Sequence, residues 1–228
     1  MEYSRKDGYP GETDGKLYSL GDMVKAGCGD CQGCWDCCRG MGQSIVLNPL
    51  DISLLVKNLE TSFETLLKDK IELKVEEGLI LPCLKMRQED EACVFLNGEG
   101  RCAIHPFRPG ICRIFPLGRS YQNNSLQYIL LVNGCTKENR TKVKVKKWID
   151  TLNVQENEKF LTAWHYFCRG LEERIQKEAD EKLAKAVSMY VLKRFYLETC
   201  PEPEDFYDWF WPRLREGEKE WLETQKMD

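Results

Sequence analysis

Five cysteines fall within eleven residues of this sequence, at Cys28, Cys31, Cys34, Cys37 and Cys38. Core packing never requires thiols at that density, and the chemistry they offer is ligation of a soft metal ion or an iron–sulfur cluster. Two-residue steps let a tight turn aim successive sulfurs at one centre while nearby backbone N–H groups hydrogen-bond the thiolates. The set Cys28, Cys31, Cys34, Cys38 reproduces the C-x₂-C-x₂-C-x₃-C step of cluster-binding runs, with Arg39 where those runs place proline. Because neighbouring side chains tend to diverge, adjacent Cys37 and Cys38 are expected to face two different centres, or to act as one ligand and one thiol outside the centre.

Ten of the 12 cysteines lie in the first 135 residues, with Cys83, Cys93, Cys102, Cys112 and Cys135 following the dense run. Residues 1–30 hold no apolar signal segment, and the longest strongly apolar run, at 128–132, is far too short to cross a bilayer. A reducing cytoplasm is therefore the expected compartment, where such thiols ligate metal instead of forming a disulfide framework. A net charge of −4 and a pI near 5.5 argue against a nucleic-acid partner. A protein or redox partner is expected, and no membrane association.

The elements that must position these thiols read as an α+β fold. Residues 1–27 are polar and glycine-rich and are expected to be an irregular arm, pinned by Leu17, Tyr18 and Leu20. Asn48-Pro49 supplies a cap and a first-turn proline for a helix over about 49–59, and Thr61 or Ser62 starts a second one through Ile71. The segment 71–75 alternates with period two, Gly78 turns, and 121–125 is the expected turn of a hairpin whose return strand, 126–132, delivers Cys135. A sheet of such short strands is expected to carry the later cysteines back to the first run.

These residues resemble the YkgJ-type cysteine-cluster proteins, a zinc- or iron-chelating family with a CxxCxxCC signature. The resemblance spans about 28–136 and rests on Cys31, Cys34, Cys37 and Cys38, then Cys93, Cys102, the Arg108-Pro109-x-x-Cys112-Arg113 element with Pro116, and Cys135 after Gly134. The family is similar to flagellin lysine N-methylases, so the resemblance implies a cluster-dependent protein methylation, with S-adenosylmethionine as a further cofactor. The chain departs from those enzymes in being short, and from the signature in carrying Cys28. No radical S-adenosylmethionine triplet, phosphate loop or dinucleotide fingerprint is present.

Arg39, Arg108 and Arg113 flank the cysteines. They either hold a carboxylate or phosphate of a bound group or offset thiolate charge and dock on carbonyls. His105, beside Pro106, fits packing around a centre better than ligation. The metal-ligand candidates are thus Cys28, Cys31, Cys34, Cys37, Cys38, Cys83, Cys93, Cys102, Cys112 and Cys135, arranged as one or two [4Fe–4S] centres, with zinc as the alternative. Redox, sensing or cluster-dependent modification would be the function, and a structural zinc module the bland alternative.

From residue 136 onward the composition turns to charged helices. Phe160, Trp164, Phe167, Cys168 and Leu171 form one helical stripe, and Leu183, Val187, Tyr190, Val191 and Arg194 the next. A last helical segment is expected to hold 206–211 and to end before Pro212. The basic strip Lys142, Lys144, Lys146, Lys147 reads as a solvated face. The expected division is an arm over 1–27, a cysteine-cluster domain over 28–140 and an all-helical region over 141–228.

Overall fold

A computed structural model gives the structure, and it describes residues 13–29 and 34–223. Cys31, one of the expected ligands, lies outside the described residues. The fold is mixed α+β, with short antiparallel strand pairs and a helical C-terminal region. Contacts divide the chain into two units, each built from separated segments: Met1–Ile45 with Lys85–Thr162, and Val46–Leu84 with Ala163–Asp228.

In the first unit, β1 (Met23–Gly27) pairs antiparallel with β6 (Thr141–Lys144). The end of the stretch expected to be irregular is thus a strand, because Val24 and Ala26 alternate inward and are buried. Tyr18 does pin the preceding segment: its N–H and C=O pair with those of Tyr128 at 2.8 and 2.9 Å. The expected hairpin forms between β4 (Leu117–Gln122) and β5 (Ser125–Leu130). Its two-residue loop, Asn123-Asn124, has φ of 51° and 57°. Asparagine tolerates that left-handed backbone, which matches the twist of a tight hairpin. Two short helices, α3 (Gly110–Ile114) and α4 (Val145–Ile149), pack together, and Trp148 Nε1 donates to the Ile114 carbonyl at 2.9 Å.

In the second unit, α1 (Pro49–Asn58) begins with a capping box. Asn48 accepts from the Asp51 N–H at 3.0 Å and the Asp51 carboxylate accepts from the Asn48 N–H at 3.0 Å. Ser62 caps α2 (Phe63–Asp69) by accepting from the Thr65 N–H at 3.2 Å, so both helices start where their caps place them. A second hairpin joins β2 (Ile71–Glu76) to β3 (Leu79–Leu84), with Gly78 at φ +93° in its turn. The long α5 (Val154–Glu178) enters this unit at Ala163 and is followed by α6 (Glu181–Leu192) and α7 (Phe206–Glu218). Trp164 and Phe167 of the first expected stripe meet aromatic residues that follow the second stripe and others that lie in the last helix. Trp164, Phe167, Phe195, Tyr196, Phe206 and Phe210 form one buried cluster, with Trp164 and Phe195 edge to face at 5.0 Å. Cys168 and Cys200 are buried in the same unit.

Two expectations are corrected. The last helix runs through Pro212 instead of stopping before it. Proline removes one N–H, which orphans the carbonyl of Asp208, and that residue is exposed, so water can take the lost partner's place. There is no single sheet among the described residues either, but three separate two-stranded ladders. Isolated bridges in the loops carry out the work that a sheet was expected to do.

Candidate metal centre

The dense cysteine run meets the later cysteines through backbone pairing in the first unit. Asp36–Cys38 form one 3₁₀ turn, after which Arg39 bridges to Ala92. The Cys93 N–H donates to the Cys38 carbonyl at 2.7 Å, and the Gly40 N–H donates to the Glu91 carbonyl at 2.9 Å. Cys93 in turn bridges to Met86, and Leu96 to Cys102. The turn at 97–100 closes the last of these loops: Asn97 Oδ1 accepts from the N–H groups of Glu99 and Arg101, at 3.1 and 2.8 Å. Gly100 sits at φ +71° directly against the Trp35 ring.

This scaffold draws the thiols into two groups. In the first, the Cys37 and Cys38 thiols hydrogen-bond each other, which with burial pushes the Cys37 thiol far up from its ordinary value. Burial also raises Cys93 and Cys102, and charge on Cys37 raises both further. The adjacent pair was expected to diverge. A 3₁₀ turn advances about 120° per residue instead of the 180° of a strand, so neighbouring thiols stay within reach of one another. In the second group, burial raises the Cys135 thiol, and charge on Cys28 and on Cys34 raises it further. Asp36 ties this group together, accepting from the Cys34 thiol at 3.6 Å and from the Thr136 hydroxyl.

The other candidates fall elsewhere. Cys83 lies in β3, in the second unit, where its thiol meets the Glu72 carbonyl at 3.6 Å. Burial and the Glu72 carboxylate push it up to about 11. Cys112 is half-buried in α3. Among the arginines, Arg108 stands close enough to Cys37 and Cys102 to lower both thiols. Arg113 donates to the Pro106 carbonyl at 2.7 Å. Arg39 faces Asp90 at 3.6 Å, and Arg87 holds the same carboxylate through two hydrogen bonds of 2.8 and 2.9 Å. Sequence reasoning missed Asp90 and Arg87; an Arg-x-x-Asp step just before a cysteine was the available signal.

Soft, grouped and partly buried thiols beside a guanidinium suit zinc or iron in kind, since each thiolate must lose its proton and gain a counter-charge on binding. As the side chains stand, no three His, Cys, Asp or Glu among the described residues already converge on one ion position. No disulfide joins the described cysteines.

No helix among the described residues is long and apolar enough to cross a membrane. Neither a curated protein nor a solved structure matches the chain. One family model does: residues 30–136 match the CxxCxxCC model, described as a putative zinc- or iron-chelating domain. That match begins in the dense cysteine run and ends just after Cys135, so it takes in every thiol of both groups except Cys28. Over residues 30–136, a little under half of its length, the chain is thus similar to the CxxCxxCC family, whose model describes zinc or iron chelation.

Proposed function

We propose that the domain holds iron as one or two [4Fe–4S] clusters and serves a redox, sensing or cluster-dependent modifying role. The observation that carries this reading is the gathering of Cys37, Cys38, Cys93 and Cys102 into one partly buried group and of Cys28, Cys34 and Cys135 into another. Support for iron over zinc comes from the spacing, since consecutive two-residue steps are the habit of cluster runs, whereas structural zinc sites favour separated C-x₂-C pairs. When bound, a cluster would supply one-electron chemistry. The chain's own part would be to exclude water with buried thiols, to balance their charge with Arg108, and to hold the Cys34 and Cys135 segments together through Asp36.

The direct test is anaerobic purification followed by iron, sulfide and zinc analysis with absorption spectroscopy. A brown protein with iron and sulfide in equal amounts supports the reading. A colourless protein with stoichiometric zinc overturns it in favour of a structural zinc module. One feature favours that second reading: the first unit relies on two-stranded ladders and isolated bridges, which are weak alone and which a metal would cross-link.

A further inference from the structure

A cavity of about 400 Å³ opens in the first unit between the loop after Cys102 and the helix α4. It is lined by His105, Pro106, Arg108, Arg113, Lys147, Trp148 and Asp150. Three cationic side chains face one carboxylate, a formal excess of two positive charges in a protein whose net charge is −4. We propose that this cavity binds a small dianion presenting phosphate or paired carboxylate oxygens.

The placement of each group supports that ligand class. Arg108 Nε is buried with no hydrogen-bond partner among the described residues, which is costly unless a ligand oxygen meets it. Arg108 Nη1 abuts His105 Nε2, so the imidazole takes the acceptor role and holds the guanidinium in place. Arg113 is held by the Pro106 carbonyl at 2.7 Å, and Trp148 by the Ile114 carbonyl at 2.9 Å. Two fixed guanidiniums are donors of the planar, forked kind that recognises oxyanions, and Lys147 adds an exposed point charge. Pro106 and Trp148 provide apolar walls for a compact ligand body. The volume lies in the range usual for small-molecule sites.

The proposal does not depend on the identity of the metal, because the lining residues are not thiols. Arg108 nevertheless stands between the two: it lines the cavity and lowers Cys37 and Cys102. A dianion bound here would therefore lie beside the first thiol group, as a substrate or effector of that centre.

Calorimetric titration of the full chain as purified, with inorganic phosphate and with succinate at constant ionic strength, tests this. Saturable binding of one or both is expected, and which one binds separates a phosphate site from a dicarboxylate site. Two variants tie the binding to the cavity. Lys147→Gln, at an exposed position, should weaken it, and Asp150→Asn should tighten it, each by roughly two- to fivefold as expected for one surface charge. Asp150 adopts φ 46° and ψ 51°, a left-handed backbone that asparagine also accepts, so this variant should fold normally. No saturable binding of either anion overturns the proposal. So does binding that neither variant alters, because it would then lie elsewhere on the chain.

Discussion

At the scale of single residues, the thiols are not equivalent, and the structure ranks them by company. Cys37 hydrogen-bonds Cys38 and lies near enough to Cys93 and Cys102 to raise both, whereas Cys168 and Cys200 are small buried side chains of the second unit. Cys37→Ser or Cys38→Ser should therefore cost about one centre's metal in elemental analysis, while Cys168→Ser and Cys200→Ser leave it unchanged. Full metal loss from Cys168→Ser would place a ligand in the helical region. Asp90 offers a pH-dependent counterpart. The Arg87 hydrogen bonds, aided by the Ala92 N–H and the Arg39 charge, hold its carboxyl down to about 2. A depressed folded pKa gives stability that is present above the unfolded value near 4 and is lost as pH falls toward 2. In metal-free protein, the melting-temperature gap between wild type and Asp90→Asn should be constant near neutrality and should close below pH 4. A gap that persists unchanged at pH 2 would show that the carboxylate charge is not what holds the 87–92 loop.

At the scale of elements, turns matter more than ladders for the site. The loop between Cys93 and Cys102 is shaped by Gly100, whose φ is +71° and where an added Cβ would stand 2.6 Å from Trp35 Cε3. Gly100→Ala would suffer both the left-handed strain and that overlap, at a cost of about 1–3 kcal/mol. Chemical denaturation should register it as a lower midpoint, with the metal released at lower denaturant than from wild type. A variant as stable as wild type would mean that Trp35 moves aside freely. Local signals were most legible at this scale. Asn48-Pro49 and the choice of Thr61 or Ser62 marked both helix starts, and 121–125 marked the hairpin turn, because caps and tight turns are settled by a few contiguous residues. Pro212 was misread because a local rule was applied where solvent access to Asp208 relaxes it.

At the scale of the molecule, the two units draw on different sources of stability. The second has an aromatic core of stacked and edge-to-face rings, while the first holds its cysteine loops by isolated bridges. Chelation of the full chain should therefore strip amide-exchange protection from residues 34–40 and 91–103 while leaving it over 187–196 and 206–214. Equal loss across both sets would show one cooperative structure that the metal supports throughout.

The sequence by itself determined the donor chemistry, the class of fold and the starts of α1 and α2. These follow from residue type and short-range spacing, which a chain cannot hide. The resemblance over 28–136 was legible for the same reason, as an ordered series of cysteines, arginines and prolines. Only the tertiary structure decided which thiols share a group, since Cys37 lies 56 residues from Cys93 and nothing in local spacing encodes that approach. It also decided that Arg39 turns to Asp90 while Arg108 lies within charge range of Cys37 and Cys102, and that Cys83 packs against Glu72 in a hairpin of the second unit. The cationic cavity is of the same kind. Its lining comes from 105–113 and 147–150, segments whose charges are unremarkable apart and gain a shared purpose only when folding sets them around one space.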